Sequence, residues 1–196
     1  VDLKGSFEDF NGSNSDFKFR FFGGQFIELF HNSFDDVRMH SGEKGAINRI
    51  EDIGILDGDD VQFRFVWNEP LGKADYGVSI NGADWILIGS VSGLAEFLPN
   101  SVDFVFFKFG DGNGLAPKLF IDRFEIRPGV FDIPLDPADP IQPFADAFDG
   151  PNLDEGWSLI DDTAEAQIVF ADGSYEMRDS TTSAGDVGIR RSVVGM

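Results

Sequence analysis

Apolar and polar residues alternate in short runs along most of the chain, the period-two signature of half-buried β-strands. Phe17, Phe19 and Phe21 alternate with Lys18 and Arg20, and Val61, Phe63, Phe65 and Trp67 with Gln62, Arg64 and Val66. Tyr76, Val78 and Ile80 alternate with Gly77 and Ser79. Asn81-Gly82 then supplies the signal of a type I′ turn, so Trp85 to Ile88 is expected to return as the partner strand. Val102 to Phe109 is apolar on both faces, which predicts a central strand covered on two sides. Leu119 to Ile126, Ala166 to Phe170, Ser174 to Arg178 and Val187 to Val194 complete the predicted strands. Helical spacing of apolar residues is nowhere sustained for three turns.

Turn and linker residues divide this pattern. Gly23-Gly24 predicts a bulge or hairpin, and Gly110-Asp111-Gly112-Asn113-Gly114 a tight loop between strands. Pro134, Pro137, Pro140 and Pro143 rule out a central strand and predict an extended, semi-rigid connector. The expected organisation is a main β-sandwich over 1–130, a proline-rich linker over 131–143, and a short β region over 144–196. That last region is too small to form a stable sandwich alone.

Composition narrows the function classes. The chain has 196 residues, 42 % of them hydrophobic, and 22 Phe against 2 Tyr and 3 Trp. That aromatic density suits the inner faces of packed sheets and excludes a disordered chain. A net charge of -20 repels phosphates and anionic lipids, so nucleic acid and membrane insertion are not expected. No apolar run approaches the ~20 residues of a bilayer span. Cysteine is absent, which removes disulfides, thiol chemistry and thiolate metal sites. The chain opens on Val1 without an apolar leader and reads as a mature or excised piece of an exported protein, extracellular or at the cell surface.

The segment Phe144-Ala145-Asp146-Ala147-Phe148-Asp149-Gly150-Pro151-Asn152-Leu153-Asp154-Glu155-Gly156-Trp157 resembles the opening strand of concanavalin A-like lectin/glucanase domains, the jelly-roll group that includes laminin G-like modules. Lys118 to Pro128, with Phe120, Ile121, Asp122 and Phe124, is similar to the closing strand of that group. Asp59 to Asp84 resembles its middle. The resemblance implies an all-β, antiparallel jelly-roll β-sandwich. It also implies a rotated order, because the family's opening strand here follows the closing one. Read from Phe144 to Met196 and then from Val1 to Pro128, the chain makes one family-type domain. Three arrangements are open: one period of a tandem array, strands donated to a neighbouring unit, or a permuted domain closed within one chain. The first two predict head-to-tail fibres of copies of this chain.

Candidate chemistry is sparse. Jelly-roll glucanases of the laminarinase type carry Glu-x-Asp-x-x-Glu on one strand. Here Glu125 and Asp122 share a strand without the second Glu, so no enzyme is expected. Adjacent acids such as Asp35-Asp36, Asp59-Asp60 and Asp161-Asp162 read as turn residues. His31 and His40, with Asp35 or Asp36, could supply a metal site, against the simpler reading of loop histidines. Calcium is the metal best suited: Asp111 and Asn113, and likewise Asp57 and Asp59, stand two apart in Gly-rich loops, where both side chains can converge on a hard cation. Glycan binding would need exposed aromatics beside Asn, and Trp85, Tyr76 and Asn81 cluster at one hairpin. Asn11-Gly12-Ser13 matches a glycosylation sequon. The expected function is a non-catalytic structural repeat or subunit of an extracellular filament or large adhesin. The alternative is a carbohydrate-binding module of a secreted multidomain protein.

Overall fold

A computed structural model of the chain describes residues 1–23, 25–42, 45–68, 71–93, 101–108, 117–126, 144–146, 157–161, 166–171, 174–179 and 185–192. The alternating runs form strands with their large apolar members inside. On β2 (Ser15–Gly23), Phe17, Phe19 and Phe21 are buried while Lys18 and Arg20 lie on the other side. On β6 (Val61–Asn68), Phe63 and Phe65 are buried in the same way. The other described strands are β1 (Asp2–Glu8), β3 (Gln25–Asn32), β4 (Val37–Ser41), β5 (Gly45–Ile50), β7 (Lys73–Ile80), β8 (Ile86–Ser92), β9 (Ser101–Lys108), β10 (Lys118–Ile126), β11 (Phe144–Asp146), β12 (Trp157–Asp161), β13 (Ala166–Ala171), β14 (Ser174–Asp179) and β15 (Gly185–Ser192).

They make two antiparallel sheets. The first runs β13-β14-β10-β1-β6-β7-β8, with β11 also on β10; the second runs β12-β15-β9-β2-β3-β4-β5. The sheets pack face to face through aromatic pairs. Ring centroids lie 4.0 Å apart for Phe21 and Phe65, 5.3 Å for Phe7 and Phe17, 5.8 Å for Phe19 and Tyr76, and 5.1 Å for Phe104 and Phe124. Each pair joins a strand of one sheet to a strand of the other, so the protein is an all-β sandwich.

The strands after the proline-rich segment join both sheets. β15 pairs along the whole of β9, from Gly185 opposite Lys108 to Ser192 opposite Ser101. The outer edge of β10 is shared: Lys118 to Ile121 pair with β14, and Phe124 to Ile126 with β11. Trp157 packs its ring 5.5 Å from Phe104 and 5.2 Å from Phe124, at the margin of the core. Gly188 permits the close approach of β15, because a Cβ there would collide with the Phe104 carbonyl oxygen and with Val105.

Three features differ from the sequence expectation. β3, β4 and β5 form an edge hairpin series that the apolar pattern did not announce. Trp85 precedes β8 rather than opening it. His31 and His40 stand in strands, not loops, and on opposite faces of the second sheet: His31 beside Phe17 in the core and His40 outside beside Glu28.

Candidate functional site

The described side chains singled out by sequence fall on one end of the sandwich, on the outer sheet faces and, for His31 and Tyr76, in the core. Loops 9–14, 33–36, 51–60 and 81–85 share that end. Carboxylates there accept backbone N–H groups. Asp57 Oδ1 accepts from Phe10 N at 3.2 Å and Asn11 N at 3.3 Å. Asp59 Oδ2 accepts from Leu56 N at 2.8 Å, and its Oδ1 from Asn81 Nδ2 at 2.8 Å. Asp35 accepts from Gly54 N at 2.6 Å and Ile55 N at 3.1 Å. These acids therefore satisfy loop amides that have no ladder partner.

Asp57 and Asp59 consequently reach different partners, one the 9–14 loop and the other the 81–85 hairpin. Among the described residues no three His, Asp or Glu are grouped to hold a metal ion. Asp111 and Asn113 lie outside the described residues. The sequon is also occupied otherwise: Ser13 is buried, and Asn11 Nδ2 donates to the Ile55 carbonyl at 3.2 Å.

The glycan candidates separate. Tyr76 leaves the set, because its ring is fully buried against Phe19, Phe21 and Phe65 and its hydroxyl donates to the Phe19 carbonyl at 2.8 Å. A side chain with no surface cannot stack on a sugar. Asn81 forms the turn that its sequence predicts, with φ of 51° followed by 72° at Gly82 and Ala83 N donating to Ile80 O at 2.9 Å. Its carboxamide is taken up by Asp59 and by Asp60 N, which donates to Oδ1 at 3.0 Å. Trp85 remains half-buried outside the first sheet, its ring 4.2 Å from the Arg64 guanidinium. Arg64 in turn holds Asp2 by two bonds of 2.6 and 2.7 Å.

A second polar cluster escaped the sequence reading. Asp103, on the outer side of β9, is wholly buried. Arg190 of β15 grips both of its oxygens, Nε to Oδ1 at 2.6 Å and Nη2 to Oδ2 at 2.7 Å, and Arg20 of β2 adds a contact at 3.3 Å. Both guanidiniums also lie over Phe22. An Asp within the largely apolar run Val102 to Phe107 was the available signal; its partner 87 residues away was not visible. Farther along the same face, Lys18 and Arg38 cover Phe30, and His40 stands 3.7 Å from Glu28.

Two groups of the second sheet are displaced from their usual titration. Burial pushes His31 down to about 4 against the opposing pull of Asp36, and its ring lies against Phe7 and Phe10. Burial raises Asp16 to about 7 against the opposing pull of Lys18 and Arg38, and its Oδ2 is unpartnered among the described residues. No protein-family model matches the chain, and a search of curated proteins returns no match.

Proposed function

We propose that this chain is a non-catalytic structural β-sandwich unit of an extracellular filament or large surface adhesin, joined head to tail by its last strands. The observation that supports this reading is the way those strands are built in. The described strands after the proline-rich segment add onto β9 and β10, the last two described strands before it: β15, β14 and β11 pair with them directly, and β12 and β13 extend β15 and β14. The junction combines a full-length strand pairing, the Trp157 contact with Phe104 and Phe124, and the Arg190 grip on Asp103. A tail of this kind can complete its own sandwich or the equivalent edges of a neighbour, and exchange of it between copies propagates without closure. The rotated concanavalin A-like order belongs to the same proposal, as do the acidic outer surface and calcium at the joints.

Refolding the chain from denaturant at high and at low concentration tests it. Light scattering after size exclusion is expected to show a ladder of oligomers from the concentrated sample and monomer from the dilute one. Monomer alone at every concentration rejects tail exchange. The carbohydrate-binding alternative rests on Trp85, the one candidate aromatic left with exposed surface. Glycan-array binding that Trp85→Ala abolishes would favour it.

A further inference from the structure

The loop end of the sandwich has a composition unlike the rest of the molecule. Loops 9–14, 33–36, 51–60 and 81–85 contain nine Asp and Glu and no Lys, Arg or His. Among the described contacts, cations reach it from flanking strands, where Lys4 meets Asp60 at 3.0 Å and Lys118 meets Glu8 and Asp9 at 2.6 and 3.5 Å. Within this acidic rim two large apolar side chains face solvent, Phe34 at 66 % and Leu56 at 63 % exposure. They stand on adjoining loops, since the Asp35 carboxylate next to Phe34 binds the amides of Gly54 and Ile55 next to Leu56.

We propose that this end is a docking surface for a cationic polypeptide segment carrying an apolar anchor. Phe34 and Leu56 receive the anchor, and Glu51, Asp52, Asp57 and Asp60 receive its Lys or Arg side chains. Charge complementarity selects the partner. A net charge of -20 draws cations toward the whole molecule, and the local absence of basic residues concentrates that pull at this rim. The same charge repels nucleic acid, anionic lipid and a second copy presenting its own acidic loops. The surface is also held ready. Asp35, Asp57 and Asp59 tie the loops to one another, so little backbone order has to be gained on binding. Apolar side chains at the centre of a polar rim are where binding energy concentrates in protein interfaces.

The probe is a fluorescein-labelled synthetic peptide of alternating Lys and Leu, titrated with the full chain by anisotropy at low and moderate salt. Binding is expected to weaken severalfold as salt rises. The double variant Phe34→Ala/Leu56→Ala is expected to weaken it about tenfold or more, as loss of central apolar contacts does. Leu71 supplies the matched control: it is 65 % exposed but lies in the β6–β7 turn at the opposite end, and Leu71→Ala should leave the affinity unchanged. Glu51→Lys/Asp52→Lys gives an independent reading, with a severalfold loss expected. All of these side chains are exposed, so thermal denaturation should show the fold intact. An unchanged affinity in the Phe34/Leu56 variant, or an equal loss in Leu71→Ala, reduces the interaction to attraction between any polycation and an acidic protein and overturns the proposal. No binding at all also overturns it.

Discussion

The core between β2 and β6 and the junction between β9 and β15 are held by different means: the first joins the two sheets face to face, the second adds a strand alongside β9 within the second sheet. In the core, Phe17, Phe19, Phe21, Phe63, Phe65 and Tyr76 are all buried and touch ring to ring across the sheets. Stabilisation there comes from apolar area removed from water and from aromatic packing. At the junction, the described tail side chains bring a single fully buried apolar residue, Ile189, with Trp157 only partly covered. Beside them stand the backbone pairing and the Arg190–Asp103 bond, in which Arg190 keeps 45 % of its side chain in solvent. Among the described side chains, aromatic packing joins the sheets at β2 and β6, whereas β15 is joined to β9 by backbone register together with an ion pair.

Mutation should separate the two regions. The largest effect is expected in the core, where Phe65→Ala removes the ring stacked on Phe21 and costs about 3–5 kcal/mol of unfolding free energy by chemical denaturation. The next concerns the polar flaw in that core. His31 titrates near 4 when folded against an ordinary 6.5, so the unfolded chain takes the proton first as pH falls. The His31 contribution to stability is therefore full above 6.5 and is lost progressively down to about 4, by roughly 2–3 kcal/mol at pH 4.5 at 1.36 kcal/mol per unit. His31→Leu should remove that share of the acid sensitivity, read as a smaller difference between denaturation midpoints at pH 7.5 and 4.5. An undiminished difference would place the acid sensitivity elsewhere. The smallest effect belongs to the junction: Arg190→Ala is expected to cost about 1–2 kcal/mol, since half the partner is in water and Arg20 still faces Asp103. A cost equal to that of Phe65→Ala would erase the distinction between the regions.

The same distinction governs what could be read from sequence. Apolar residues with period two announce β2, β6, β7 and β10 because one face of each is largely apolar, and β9 stands out because apolar residues occupy both of its faces. β4 (Val-Arg-Met-His-Ser) and β5 (Gly-Ala-Ile-Asn-Arg-Ile) give a weak contrast over few residues, and they become strands by pairing, β4 with β3 and β5 with β4, rather than by their own pattern. Asn81-Gly82 revealed its turn because positive φ at two successive positions is a local demand. Asp57 and Asp59 were visible as acids in a Gly-rich loop and Asp35 as a turn residue, but partners that tie loops together, the amides of Phe10, Asn11, Gly54 and Ile55 and the Asn81 carboxamide, belong to other loops. Tyr76 looked available for a ligand because its strand ends at a hairpin; its neighbours across the sheets bury it.

The direct test of the tail's place uses the absence of cysteine. Ser101 and Ser192 are opposite one another in the β9–β15 pairing, and directly opposed antiparallel positions lie about 4.5–5.5 Å apart, within disulfide reach. In dilute Ser101→Cys/Ser192→Cys protein, mild oxidation is predicted to close one disulfide within the chain, seen as a faster-migrating monomer on a non-reducing gel and loss of both thiols. Two thiols that stay free under those conditions would contradict a sandwich completed by its own final strands.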